Sequence, residues 1–404
     1  MRRVAVTGMG IVSCLGNDLD DVEDALRRGR VGVRYVDEYE KFGFRSRVAG
    51  IPDISNERPP DRKFGRFMGD VALFAYHAAR RALADAALDP RAISDPMTGL
   101  IVGSGVGSLF EHHAAVTSLL ARGAAKLPPY FVPRVMGSTA SACLSTAFGI
   151  EGISYSISAA CATGAHCIGH GADLIRYGRQ DRMIVGGAEE VQWTSTALFD
   201  AMGALSTAYN DETASRPFDA GRDGFVIAGG AGVLVLEELE LARRRGARIY
   251  AELAAYGANC DGRDMTATTP ESAARAMRLA LDGLGDRNVD YINAHATSTR
   301  LGDLAELTAI REVFGDAMPP ISSTKGLAGH PIAAAGAHDA IHSLLMIERG
   351  FLAGCANLFE PAPECAAYPL LARSVDRGVD TVMSNSFGFG GTNASLVFRR
   401  VADG

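Results

Sequence analysis

Residues 153–164 read Ile153-Ser154-Tyr155-Ser156-Ile157-Ser158-Ala159-Ala160-Cys161-Ala162-Thr163-Gly164. The first five alternate apolar and polar with β-favouring side chains, which predicts a strand. From 161 to 178 the pattern turns helical, so the cysteine falls at a strand-to-helix turn. Short apolar runs of the strand kind recur at 4–6, 99–102, 183–185, 232–236, 249–253, 289–292, 381–383 and 394–398. Alanine-rich helical stretches at 68–87, 270–284, 303–314 and 333–350 lie between them. This alternation predicts an α/β protein whose sheets are covered by helices on both faces.

The chain has 404 residues, room for two domains or one duplicated unit. Its net charge of −7 argues against nucleic-acid binding, which needs a basic face. An acidic partner must therefore be met by a local basic patch. Seven cysteines without a C-x-x-C pair read as reduced thiols. The apolar run near the N-terminus stops at Gly8, too short for a signal peptide, and V-A-V-T-G reads as a first strand and turn. No run approaches the length of a membrane span, so a cytoplasmic protein is expected. The charge-dense stretch 237–248 marks a seam between two parts, or a solvated helix end.

The residues around Cys161 are among the smallest available, which clears space for something to reach the sulfur. A helix N-terminus there favours a thiolate, and its N–H groups can hold an oxyanion. A buried structural cysteine is the competing reading. His295 emerges after the predicted strand 289–292, and Lys325 and His330 share a glycine-bearing loop. A thiol, two histidines and a lysine at strand ends form a constellation that one loop histidine does not. The stretch 383–393, M-S-N-S-F-G-F-G-G-T-N, is either a loop where backbone approaches a substrate or a tight hairpin with core aromatics. Dinucleotide, P-loop and G-x-S-x-G patterns are absent. His166 with His170, and His338 with His342, have metal-ligand spacing but lack a third ligand nearby in sequence, so no metal is expected.

Taken together, these motifs resemble the β-ketoacyl-(acyl-carrier-protein) synthases, closest to the type I elongating enzymes of dissociated bacterial fatty acid synthesis. The likeness runs from V-A-V-T-G-M-G-I-V-S to N-S-F-G-F-G-G-T-N-A-S, through F-D-A-M-G-A-L-S-T (199–207) and R-D-G-F-V-I-A-G-G (222–230). The resemblance implies a thiolase-like fold of two similar α/β halves in five αβαβα layers. It places the nucleophile in residues 1–245 and the histidines and lysine in 246–404.

It further implies decarboxylative condensation of an acyl group, held on Cys161, with malonyl-acyl carrier protein, giving 3-oxoacyl-acyl carrier protein and CO2. His295 and His330 would promote decarboxylation, with Lys325 in electrostatic support. The N–H groups of Cys161 and Phe389 would form the oxyanion hole, Phe389 also gating access. Thr297 and Thr299 would meet the pantetheine arm, Val106 and Phe199 the acyl chain, and Arg62, Lys63 and Arg66 the carrier protein. A homodimer is implied, with no cofactor, nucleic acid or membrane partner. The family's usual H-G-T-S-T reads His295-Ala296-Thr297-Ser298-Thr299 here, and Pro331 follows His330 where Ser or Thr is usual. A type II polyketide ketosynthase is the alternative on the same fold. A degradative thiolase would need a second catalytic cysteine, and a non-catalytic chain-length subunit would lack Cys161.

Overall fold

The computed structural model describes residues 1–284 and 288–401. Its main sheet has ten strands: β1 (Val4–Val12), β2 (Thr98–Gly103), β3 (Ser154–Tyr155), β4 (Arg182–Glu189) and β5 (Gly230–Glu238), then β6 (Ala251–Cys260), β7 (Tyr291–Asn293), β8 (Ile321–Ser322), β9 (Thr381–Gly388) and β10 (Thr392–Arg399). The order across the sheet is β8-β7-β9-β10-β6-β1-β5-β4-β2-β3. In the first half β1 pairs antiparallel with β5 and β5 with β4, then β4 pairs parallel with β2 and β2 with β3. Adding five to each label gives the second half with the same directions. The two half-sheets join through β1 and β6, where only Ala5–Glu252 and Val6–Ala251 are paired. The fold is thus a duplication that the sequence does not display.

Five helices complete the layers: α1 (Asp70–Asp85), α2 (Thr163–Arg176), α3 (Pro270–Asp282), α4 (Arg300–Phe314) and α5 (Ala335–Arg349). Helix α1 covers β1 and β5 on one outside, while α3 covers β6 and β10 on the other with α4 beside it. Helices α2 and α5 pack on each other and on strands of both half-sheets. This is the αβαβα sandwich. A helix between two sheets has no solvent face, and residues 335–347 of α5 are buried without a break.

Two glycine pairs set the spacing of these layers. Strand β1 does not turn at Gly8, as its sequence suggested, but runs on to Val12. Gly8 and Gly10 are there because α1 lies on the strand: a Cβ at Gly10 would sit 2.0 Å from the Ala78 carbonyl oxygen. In the middle layer, a Cβ at Gly164 would fall 2.8 Å from the Ala337 nitrogen, and one at Gly336 would fall 2.6 Å from that of Ala165.

Both middle helices are entered through a single 3-10 turn, Ala160–Ala162 before α2 and Ile332–Ala334 before α5. Each turn opens on a non-glycine residue in the left-handed region, Ala160 at φ 46° and Ile332 at φ 43°. Such strain persists only where surrounding packing over-determines it. The duplication therefore makes Cys161 and Ala333 structural counterparts. One half keeps a nucleophile at this point and the other a methyl group.

The charge-dense seam contains a short helix, Leu239–Arg244, linking β5 to β6. The stretch 383–393 forms the end of the β9–β10 hairpin, turning at Phe389–Gly391. Among the described residues no helix is long and apolar enough to cross a membrane.

Candidate active site

Cys161 lies buried at the mouth of α2. The β9–β10 hairpin tip rests on this turn, with the Thr392 hydroxyl donating to the Ala159 carbonyl at 3.0 Å. His295 follows β7 and is fixed through its backbone. The N–H groups of His295 and Ala296 donate to the two Glu306 carboxylate oxygens at 3.0 and 2.8 Å. Asn385 of β9 donates to the same carboxylate at 3.0 Å. His330 is held by its own backbone N–H, which donates to the Val226 carbonyl at 2.7 Å. The two imidazoles meet edge to face, with centroids 5.3 Å apart, and Phe225 and Phe387 back them. The Cys161 sulfur and a ring nitrogen of each histidine all lie within 4.8 Å of one another.

Burial governs the protonation of this cluster. It pushes the Cys161 thiol up to about 12, against the pull of Lys325 and the backbone N–H groups of Phe389 and Cys161. Burial thus opposes the thiolate that the helix start favours. Burial also holds both histidines well below the usual imidazole range, and the Lys325 charge adds to the effect. At neutral pH both rings are uncharged, each with one N–H donor and one lone pair. Both ring nitrogens of His330 and Nδ1 of His295 are buried without a protein partner, so they are free to engage a substrate. Lys325 is itself buried, its Nζ donating to Asp339 Oδ2 at 2.6 Å.

The other predicted residues are spread more widely. Thr297 and Thr299 place their hydroxyls 3.3 Å apart beside the His295 turn. Phe199 stacks edge-on against Phe225, which in turn contacts His330. Val106 is 54% exposed in the isolated chain. Arg62, Lys63 and Arg66 are exposed on and beside a four-residue helix, Arg62–Gly65. Among the described residues, the place where three metal-capable donors converge is Cys161, His295 and His330, rather than either histidine pair on a helix.

The arrangement matches known proteins along its whole length. The model of the β-ketoacyl synthase N-terminal domain matches residues 1–242, and that of the C-terminal domain matches 250–359. The chain belongs to the β-ketoacyl synthase family. It is 50% identical to 3-oxoacyl-(acyl-carrier-protein) synthase 1 of Escherichia coli strain K12, over 100% of both chains. Among solved structures, a β-ketoacyl synthase from Burkholderia phymatum superposes with a TM-score of 0.93 at 39% identity, covering 100% of both chains. A type II PKS ketosynthase, solved with its acyl-carrier protein and a hexaketide, gives a TM-score of 0.90 at 31% identity over 99% of this chain and 100% of that one.

As a β-ketoacyl synthase the chain is an acyltransferase of thiolase-like fold. Its two departures from the usual motifs have visible surroundings. Ala296 packs in the apolar cluster of the second half, with Ile292 and Leu307 in that cluster. Pro331 leads into the strained turn at Ile332.

Three buried acids of this synthase were not singled out from sequence. Glu306 carries the His295 turn and is raised to about 7 by burial. Asp339 is the Lys325 counter-ion. Glu189, raised to about 8 by burial, accepts from the Gly105 N–H and the Ser104 hydroxyl and faces Cys161 electrostatically. A signal existed for Asp339: it is the one acid within the unbroken buried run 335–347, and a buried acid must have a partner.

Proposed function

We propose that this synthase elongates acyl chains by decarboxylative condensation with malonyl-acyl carrier protein, with Cys161 as nucleophile. The observation that carries it is the buried convergence of one thiol and two neutral imidazoles. In transacylation the Cys161 sulfur bonds to the acyl carbon, the bond to the pantetheine sulfur breaks, and the thiol proton passes to a neighbouring imidazole lone pair and on to the departing thiol. The N–H groups of Cys161 and Phe389 stabilise the transient oxyanion. Malonyl thioester then accepts N–H bonds from His295 and His330 on its carbonyl oxygen. Its carboxylate carbon–carbon bond breaks, CO2 leaves, and the electron pair becomes an enolate. The enolate carbon attacks the Cys161 thioester, the bond from the acyl carbon to sulfur breaks to release 3-oxoacyl product, and the sulfur takes up one proton from solvent to return to the thiol. Neutral rings suit this role, since they donate without needing a buried cation. Incubating the protein with an acyl primer and malonyl-acyl carrier protein should yield 3-oxoacyl product and CO2 in a one-to-one ratio. CO2 or product alone would contradict the reading.

The remaining assignments belong to the same proposal. Residues 1–245 and 246–404 are the two halves, which the five-plus-five strand order supports. Thr297 and Thr299 contact pantetheine, and Phe199 and Val106 border the acyl chain. A second copy of the chain fits the open side. Among the described residues strand β3 leaves one sheet edge unpaired, and helix Leu109–Arg122, which packs against both Phe131–Val135 and Trp193–Met202, exposes with them Leu120, Val132, Leu198 and Met202. No cofactor enters any step.

Arg62, Lys63 and Arg66 dock the acidic carrier protein. None of the three is engaged by a carboxylate among the described residues, while Lys63 and Arg66 lie over Phe64 and Phe67. Reversing all three to glutamate should lower kcat/KM for carrier-bound substrates at least about tenfold at low salt and flatten the salt dependence. Short pantetheine thioesters should react as before. Equal losses on both substrates would remove these residues from docking.

A further inference from the structure

Behind the two catalytic histidines lies a buried polar chain that the proposed chemistry does not use. Thr324 Oγ1 donates to Asp339 Oδ1 at 3.0 Å, while the other oxygen of that carboxylate takes Lys325 Nζ at 2.6 Å. His342, one turn further along α5, has Nδ1 3.0 Å from the same threonine hydroxyl. The hydroxyl has one proton, and it goes to the carboxylate. His342 must then donate, which fixes its Nδ1–H tautomer. All four side chains are buried, and His342 Nε2 has no partner. A histidine kept wholly inside the protein with one ring nitrogen unpaired carries a burial cost that its single hydrogen bond does not remove.

We infer that His342 is a positioning residue: through Thr324 it locks the Asp339 carboxylate in the orientation that keeps the Lys325 ammonium beside His295 and His330. The inference rests on the condensing chemistry proposed above, and it goes beyond the constellation of thiol, histidines and lysine. Around the Thr324–Asp339 pair the titratable groups are Lys325 from the loop, His338 and His342 from α5, and Tyr291 from β7. His342 itself is driven down to about 3 by burial first and Lys325 second, so it stays a neutral donor across the working range. Lys325 also depresses both catalytic histidines. Letting its charge drift would raise them toward the ordinary imidazole value, and the acid limb of decarboxylation would move to higher pH.

The test uses the full-length protein with His342→Phe, His342→Asn and Thr324→Val, measuring CO2 release from malonyl thioester against pH, acylation of Cys161, and Tm. Phenylalanine removes the donor and keeps a planar ring, whereas asparagine keeps an N–H near the Nδ1 position. His342→Phe and Thr324→Val should each slow CO2 release about tenfold and shift its acid limb upward, with acylation of Cys161 within about twofold of the parent. His342→Asn should restore both the rate and the limb. The double variant Thr324→Val/His342→Phe should be no slower than either single one, because both break the same chain. Parent-like rate and pH profile in Thr324→Val would overturn the inference. So would an asparagine variant that keeps the parent Tm yet slows CO2 release about tenfold, and this outcome decides even if the phenylalanine protein does not fold. Failure of the parent to release CO2 would instead count against the condensing reaction itself.

Discussion

Cys161→Ala should abolish condensation while malonyl decarboxylation continues. The two half-reactions use different atoms of one cluster, so they can be separated. Without the sulfur no acyl-enzyme forms, and 3-oxoacyl product should fall by at least about a thousandfold. The enolate, however, is stabilised by the imidazole N–H groups, which alanine leaves in place. CO2 release should therefore stay within about tenfold of the parent. His330→Ala should show the converse. It removes a donor aimed at the thioester oxygen, which costs about 100- to 1000-fold in CO2 release. Labelled acyl transfer to Cys161 should still be seen. Slower transfer is expected, since the buried thiol sits near pKa 12 and one of its two neighbouring proton acceptors is gone. Labelled acyl transfer and labelled CO2 release, followed side by side, decide the matter. A Cys161→Ala protein that still elongates, or a His330→Ala protein that decarboxylates at the parent rate, would contradict the division of labour.

The cluster of thiol and histidines was legible in the sequence because its residues stand out locally: a cysteine among alanines, histidines at strand ends, glycines in a hairpin. What surrounds them was not. Strand β8 has two residues, too few for any periodic pattern, yet it carries the loop to Lys325 and His330. The duplication is carried by strand order and by the left-handed φ at Ala160 and Ile332, and neither leaves a matching residue behind. Strand β1 passes through two glycines that read as a turn, because their role is to admit a helix from another part of the chain. At Cys161, too, packing acts against a local signal. The helix start favours the thiolate locally, but burial by the two halves opposes it and dominates. Tertiary packing, not local sequence, sets that balance.

The Lys325–Asp339 pair offers the sharpest separation between stability and activity. Both side chains are almost wholly buried, and they meet at 2.6 Å. Removing one partner leaves the other as an uncompensated buried charge, which costs about 3–5 kcal/mol. Lys325→Met and Asp339→Leu should each lower unfolding free energy by that amount, a large share of the roughly 5–15 kcal/mol typical of a folded domain. The double variant removes both charges and fills the space with apolar atoms. Its stability should return to within about 1–2 kcal/mol of the parent, the remainder reflecting the Thr324 hydroxyl, which loses its acceptor. Activity should not return. The ammonium that depresses His295 and His330 is absent in the double variant as in Lys325→Met, so CO2 release should stay low and its acid limb should stay displaced upward. Denaturant unfolding and the pH dependence of CO2 release, measured on all four proteins, test both halves of the argument. A double variant as unstable as the singles would mean that the pair is not an isolated charge couple. One that decarboxylates like the parent would mean that Lys325 serves the fold alone.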